Sequence, residues 1–484
     1  MKNYFFFLLA ILPILLLGQV KTIEVDYPGS FKTKYAEILG NGQLALIFIQ
    51  GGGDIFEDDG NRRHVKTFTH NLKPVLDIGF VPGDENKYYA NGLISTPKSN
   101  SIWFINTHKG SPTIRSYDNE MILTGISPNQ KNETIIFEEQ PFNHIAIFST
   151  KDHFFRLSNK FIDGPKSNKW AINLHKTDED GLNSKIIPLS SIYPELTHEK
   201  KWEWTFLDTT KSGFYLYKQN KVNNPKTDLE AMVFNIIKFS YEGEKIKDYE
   251  LTYLFKEKNI AASYQNVWSF NGIHPFDLQF ESGSTSSYLK PKDRAYCQLN
   301  MDQEENFYIS GILDGRKQKP HSTYKNSFYF FIQKFNQEGT LLWDQKGDLD
   351  PRIGNVLKRN PAQMAITSFK FYENKLIAQE YCREHLHTFV FDKNNGNILK
   401  SSFIDKKNGK YMVDEVAYKK KYKSSVFNLW LVRVQLFEPQ IYEQFIEFAS
   451  ELKPNNGYDI LFDGESYYFV IFNNTKNKVF IKKF

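Results

Sequence analysis

A strand, a tight polar turn and a second strand recur along this chain, and no other feature restricts its fold as strongly. The first pair reads YAEILGNGQLALIFI from Tyr35, followed by LISTPKSNSIWFIN from Leu93, TIIFEEQPFNHIAIF from Thr134 and EWTFLDTTKSGFYLY from Glu203. The later copies are YCQLNMDQEENFYIS from Tyr296, ITSFKFYENKLIAQ from Ile366 and YDILFDGESYYFVIF from Tyr458. Each joins two runs rich in β-branched and aromatic residues through Gly, Asn, Asp, Ser or Pro. Third strands are expected at Val65, Pro112, Phe154, Met232, Phe328, Thr388 and Lys478, and fourth strands after the turns at Gly339 and Gly396. One such unit cannot bury its own apolar faces, so the copies must stack on one another.

Units of this kind define an all-β fold, a β-propeller of about seven four-stranded antiparallel blades, with six to eight compatible with the spacing. Second strands start near 44, 101, 144, 213, 306, 375 and 468. The two long intervals imply insertions near 251–295 and 400–457, or an extra blade in each. The last copy stops at its third strand, KVFIKKF, and KTIEVDY lies before the first copy. An N-terminal strand completing the last blade would remove an exposed edge. Residues 20–484 are read as one propeller domain; a large β-sandwich or two smaller β domains is the rival. In PQIYEQFIEFASEL, Ile441, Phe445, Phe448 and Leu452 suit a helix face, and an edge strand suits the segment equally. The chain thus resembles the β-propeller superfamily as a class, without the recurrent Trp-Asp, Gly-Gly or Asp-box signatures of its named families. Its Lys-, Asn- and Phe-heavy composition is similar to that of exported Bacteroidota propellers.

The N-terminus reads as an address. Lys2 precedes thirteen residues, Phe5 to Leu17, that are apolar apart from Pro13, and small or polar residues follow. That is the layout of a signal peptide, here 1–19, and it is short for a membrane span of about 20 residues. Export to the periplasm, cell surface or medium is expected, with no membrane span after cleavage. No Cys follows the apolar run, so the reading is not a lipoprotein. Cys297 and Cys382 allow a single disulfide, which an oxidising compartment would preserve; two buried free thiols are the preferred reading. Lys and Arg number 61 against 56 Asp and Glu, without a basic block, which argues against nucleic-acid binding driven by charge.

Candidate chemistry is sparse. Asp54, Glu57, Asp58 and Asp59 could offer hard oxygen ligands to Ca²⁺, although Ile55 and Phe56 interrupt the order of a calcium loop. A solvated acidic loop is the simpler account, and no cofactor is expected. Lys317, Lys319 and His321 could grip an anionic sugar or acidic partner by charge-assisted hydrogen bonds. His385 and His387 would share a side if extended, but a hairpin tip at Arg383–His385 disrupts any metal geometry. Trp103, Trp202, Trp204 and Trp268 could stack on sugars or serve blade packing. No nucleophile elbow, phosphate loop or zinc motif occurs. The reading is a binding module for a protein or glycan held on its loop face. The alternative is a polysaccharide hydrolase or lyase with axial carboxylates.

Overall fold

The computed structural model describes residues 21–27, 33–39, 42–49, 63–80, 88–94, 102–108, 121–126, 133–136, 143–150, 152–162, 169–178, 184–198, 203–224, 229–254, 297–314, 328–351, 366–371, 374–382, 385–405, 439–452, 457–463 and 465–484. Their strands form seven four-stranded antiparallel sheets, a β-propeller construction. The first sheet contains β2 (Thr33–Ile38), β3 (Leu44–Ile49), β4 (Arg63–Phe68) and β5 (Pro74–Phe80). The second holds β6 (Tyr88–Ile94), β7 (Ile102–His108), β8 (Met121–Ile126) and β9 (Glu133–Ile136). The third holds β10 (Asn143–Ser149), β11 (His153–Phe161), β12 (Trp170–Asp178) and β13 (Ser184–Ile187). In the fourth are β14 (Trp204–Thr210), β15 (Gly213–Asn224), β16 (Leu229–Phe239) and β17 (Lys245–Leu254). The fifth comprises β18 (Cys297–Met301), β19 (Phe307–Asp314), β20 (Phe328–Phe335) and β21 (Leu341–Asp348). The sixth comprises β22 (Ile366–Phe371), β23 (Lys375–Cys382), β24 (His385–Asp392) and β25 (Ile398–Asp405). In the seventh, β26 (Gly457–Phe462), β27 (Tyr467–Asn473) and β28 (Lys478–Lys483) are joined by β1 (Lys21–Asp26), which pairs with β28 from Lys21↔Lys483 to Asp26↔Lys478.

The chain divides into two compact units. One comprises Met1–Glu139, Thr150–Asp152 and Met412–Phe484, hence the first, second and seventh sheets. The other comprises Gln140–Ser149 and His153–Tyr411, hence the third to sixth.

Strand position follows apolar pattern. The second strand of a sheet lies between two neighbours and between two packed layers, so it must be apolar on both faces. Thus β3 keeps Leu44 to Phe48 no more than 2% exposed, and β27 is buried along its whole length. The outer strand β21 is instead largely open, with Leu341 and Leu342 exposed and Trp343 buried. Between the first and seventh sheets the core is Leu44, Leu46 and Phe48 against Tyr468, Val470 and Ile481. Two apolar cores run between the third and fourth sheets and between the fourth and fifth. Each fully buried Leu or Phe contributes about 1.5–3 kcal/mol by leaving water.

Turn chemistry sets the register. The third-to-fourth connections 69–73, 240–244, 336–340 and 393–397 share a length and place a left-handed residue fourth: Leu72 (φ 56°), Gly243 (81°), Gly339 (80°) and Gly396 (77°). In the first three the fourth residue's N–H donates to the first residue's carbonyl, at 2.8–3.0 Å. A bulge follows in each ladder, as a turn closed by a left-handed residue requires. Gly396 also lies so close to the fifth sheet that a Cβ there would stand 2.7 Å from the Trp343 ring. First-to-second and third-to-fourth connections run two to seven residues, whereas those leaving the other end of each sheet extend to the 255–296 and 406–456 segments.

Several expectations need revision. The third copy read from Thr134 is out of phase: β9 closes the second sheet and β10 opens the third, so Phe154 lies on a second strand and the third is β12. Two short apolar runs separated by a polar turn look alike whether they form a hairpin or straddle a sheet boundary. The third strand of the second sheet is β8, not the segment at Pro112, which lies outside the described residues. The segment Pro439–Leu452 is a helix, designated α2 after the single helical turn α1 (Leu189–Ile192). Phe445, Phe448 and Ala449 lie buried against Tyr458, Ile460 and Phe469 of the seventh sheet, while Glu443, Glu447 and Glu451 face out. Of the expected insertions, 251–254 belongs to β17 and 400–405 to β25. Neither long interval contains a further sheet among the described residues. The signal segment lies outside them, and no described helix is long and apolar enough to cross a membrane.

Candidate functional site

A four-part polar constellation recurs where neighbouring sheets meet. Its base is a Tyr on the second strand facing a Lys on the third: Tyr215↔Lys238, Tyr308↔Lys334 and Tyr468↔Lys483. Each ammonium lies over its partner ring at 5.3, 5.7 and 5.8 Å from the centroid. This is the range in which the ring quadrupole attracts a cation. To each pair an acid is added.

In the fifth sheet the acid is Asp302, whose side chain is 0% exposed. Its Oδ1 accepts the Glu304 and Asn306 N–H groups at 3.0 and 2.9 Å, and its Oδ2 accepts the Tyr308 hydroxyl at 2.9 Å. Lys393, from the β24–β25 turn of the sixth sheet, brings its ammonium to 3.2 Å from Oδ2 and 2.9 Å from Glu304. The Lys393 carbonyl accepts from Lys334 Nζ at 3.0 Å and Trp343 Nε1 at 3.2 Å. Burial pushes the Asp302 carboxyl up, but the Asn306 and Tyr308 hydrogen bonds and the Lys393 charge outweigh it and leave the group below its ordinary range. Burial, then the Asp302 charge, pushes the Tyr308 hydroxyl up.

The seventh sheet repeats this arrangement. Asp463 Oδ1 accepts the Glu465 and Ser466 N–H groups at 2.9 and 2.8 Å, and Oδ2 accepts the Tyr468 hydroxyl at 2.8 Å. The position held by Lys393 is taken by His70, on the β4–β5 turn of the first sheet. Its Nδ1 lies 2.9 Å from Asp463 Oδ2 and 3.0 Å from the Tyr468 oxygen. Lys483 Nζ lies 2.6 Å from His70 Nε2. His70 is 44% exposed. Burial raises the Asp463 carboxyl, and its four hydrogen bonds overcome that and bring it down to about 2. Chemically this is an imidazole oriented by a carboxylate, the arrangement of a general base, with its free nitrogen capped by an ammonium. In the fourth sheet the same Tyr–Lys pair meets Glu305 of the fifth, at 2.6 Å from Tyr215 and 2.7 Å from Lys238.

A further carboxylate stands on a first strand. Asp459 Oδ2 accepts the Ala36 N–H of β2 at 2.8 Å. Burial, only partly offset by that bond, pushes its carboxyl up to about 6.

Asp54, Glu57, Asp58, Asp59, Lys317, Lys319 and His321 lie outside the described residues. Cys297 and Cys382 fall on β18 and β23, and His385 opens β24 one position from the hairpin tip; their side chains are likewise outside the description. His387 is a core residue stacked on Phe389 at 4.1 Å. Its Nδ1 accepts the Asp350 N–H at 3.2 Å and its Nε2 meets Ser401 Oγ at 2.6 Å. Burial pushes it down to about 4, and both nitrogens are occupied by the protein. Trp204 is 2% exposed and packs in the core. Among the described residues no three His, Cys, Asp or Glu side chains are grouped to hold a metal. The recurrent site had a sequence signal that spacing alone did not single out. An aromatic–Tyr pair on the second strand (Phe214-Tyr215, Phe307-Tyr308, Tyr467-Tyr468) is matched by Lys-Phe on the third (Lys238-Phe239, Lys334-Phe335, Lys483-Phe484).

Together the sheets and their junctions define the class: a β-propeller protein. No protein-family model matches the chain, and no curated protein matches it. Solved structures similar in course include the polysaccharide lyase Uly1, at 8% identity and TM-score 0.38, covering 93% of this chain and 88% of that one. A member of the DUF4221 family from Bacteroides vulgatus is similar at 12% identity and TM-score 0.31, covering 74% and 91%. Prolyl oligopeptidase B from Galerina marginata follows at 10% and 0.35, covering 78% and 43%.

Proposed function

We propose that this protein is an exported propeller that binds a protein or glycan through the long connections leaving one end of its sheets. The supporting observation is the asymmetry of those ends. Short turns at one end are drawn together by the Tyr–Lys–acid constellations, while the other end carries the connections 50–62, 109–120 and 315–327. A scaffold held at one end and variable at the other suits recognition, because loops tolerate change that strands do not. In this reading residues 20–484 are a single propeller domain with each of the seven sheets a blade, β1 is the strand that completes the last of them, and residues 1–19 are removed on export.

Lys317, Lys319 and His321 are assigned to an acidic partner, and Asp54, Glu57, Asp58 and Asp59 to the opposite charge or to Ca²⁺. An immobilised acidic polysaccharide provides the test. The wild-type protein should be retained and eluted by salt, while K317E/K319E should pass through with an unchanged unfolding temperature. Equal retention of both proteins would refute the assignment of the basic loop. Calcium titration of wild type against D58N/D59N tests the acidic loop, and N-terminal sequencing of the secreted protein tests the leader.

One observation favours the second reading, a polysaccharide hydrolase or lyase. Asp459 is a first-strand carboxyl that burial pushes up to about 6, in the range that suits a general acid. Release of reducing ends or unsaturated uronates by wild type, abolished in D459N, would establish it.

A further inference from the structure

Among the described residues, Lys34 is a half-buried cation that meets no carboxylate. Lys66, Lys176, Lys238, Lys393 and Lys478 each meet one. The Lys34 ammonium is instead held by neutral groups. It donates to the Tyr27 hydroxyl at 2.9 Å and to Asn474 Oδ1, and lies 4.4 Å from the centre of the Tyr27 ring. The acids of this region are committed elsewhere: Glu24 and Asp26 of β1 pair with Lys478, and Asp459 of β26 takes the Ala36 N–H. Burial pushes the Lys34 ammonium down from its ordinary value. A cation drawn out of water without a counter-charge is unfavourable, and an anion brought to it relieves that cost.

The geometry leaves donors for such an anion. Lysine only donates, so the Asn474 oxygen must be the atom turned to Lys34, and the Tyr27 hydroxyl donates to the same oxygen at 2.7 Å. The Asn474 amide nitrogen is thereby turned away, on an exposed turn, and has no acceptor among the described residues. The ammonium has three N–H groups and two of these acceptors, so one N–H is left over. Both groups stand at the end of the sheets from which the connection 50–62 leaves. Lys34 is the register partner of Phe48, next to the last residue of β3, and Asn474 opens the β27–β28 turn.

We propose that Lys34 and the Asn474 amide form an anion-binding point that takes the carboxylate of an acidic polysaccharide. The choice of polysaccharide rests on the binding reading above; the need for an anion comes from the uncompensated ammonium alone. One carboxylate oxygen accepts from the ammonium and the other from the amide nitrogen, a two-point grip on a planar group.

Thermal unfolding of the full chain in sodium glucuronate, against sodium chloride at equal ionic strength, isolates this point from the rest of the binding end. The wild-type unfolding temperature should rise as glucuronate is added, beyond any rise in chloride. K34M keeps the aliphatic stem on the Tyr27 ring, and an equal rise should need about tenfold more glucuronate, the size of one lost charge-assisted hydrogen bond. In chloride K34M should unfold no lower than wild type, because it removes an uncompensated cation. N474D supplies the anion from within, and should raise the unfolding temperature in chloride and abolish the glucuronate response. No response in wild type, an equal response in K34M, or a K34M that unfolds well below wild type in chloride would overturn the inference. Retention of wild type on the acidic polysaccharide without any glucuronate response would remove this site and leave the binding reading standing.

Discussion

The fifth-to-sixth and seventh-to-first junctions share one plan, and only the former is sealed. In both, an acid on the first turn accepts two backbone N–H groups with one oxygen and a Tyr hydroxyl with the other. In both, a Lys from the third strand lies over that Tyr. At Asp302 the neighbouring sheet supplies a lysine ammonium that is itself 5% exposed. At Asp463 it supplies a half-exposed imidazole. The comparison teaches that a repeat can keep a scaffold of charge while one turn residue from the next sheet decides whether the junction is closed to solvent or left half open.

The largest expected effect comes from removing the sealed cation. K393M leaves a buried carboxylate without its partner and should cost about 3–5 kcal/mol in denaturant unfolding, whereas H70M should cost no more than about 1 kcal/mol. Equal losses would dissolve the distinction between the two junctions. Next come the turn glycines. G396A combines a left-handed residue with a Cβ 2.7 Å from Trp343 and should lose about 2–3 kcal/mol. At Gly42 the φ is similar and nothing lies within 4 Å, so G42A should lose only about 1 kcal/mol.

Buried groups of the two units, His175 and His387 against Asp459, should also respond to pH with opposite sign. In the second unit, burial first, then the charges of Arg156 and Lys160, hold His175 down at about 3, and burial holds His387 at about 4. Unfolding lets both bind protons at their ordinary value, so their stability is full above about 6.5 and falls as pH drops through that window. In the first unit, Asp459 is raised to about 6, so its contribution is present below about 4 and is lost as pH rises to about 6. Each should be worth about 1–2 kcal/mol after allowance for solvent screening. Thermal unfolding across this range should show H387Q flattening the acid limb and D459N gaining stability above pH 6. A shift of the same sign in both variants would break the comparison. The smallest effect is expected at the outer strands of the second unit, where Ile246, Leu342 and Leu399 are exposed; L342K should change stability by less than about 0.5 kcal/mol.

Much of the strand order was legible because second strands are apolar on both faces and their turns are polar and short. The phase of the copy at Thr134 was not, since a boundary between sheets and a turn within one look the same in sequence. The helix at Pro439–Leu452 carried both periodicities, and only the apolar face of the seventh sheet selected one of them. His387 drew attention as a polar residue beside a hairpin, yet its burial depends on Phe389 and Asp350, which no local pattern announces. The aromatic–Tyr and Lys-Phe pairs were visible throughout, but their meaning rests on cross-strand register.

Sequence by itself determined the repeating strand–turn–strand unit, the turns that need a left-handed residue, and the apolar strands that must lie between neighbours. These follow from backbone sterics and the burial of apolar surface, which act over a few residues. Only the tertiary structure decided that Asp302 meets Lys393 and Asp463 meets His70, because such pairs join residues far apart in the chain. Their energies depend on distance and burial, which exist only once the sheets have packed.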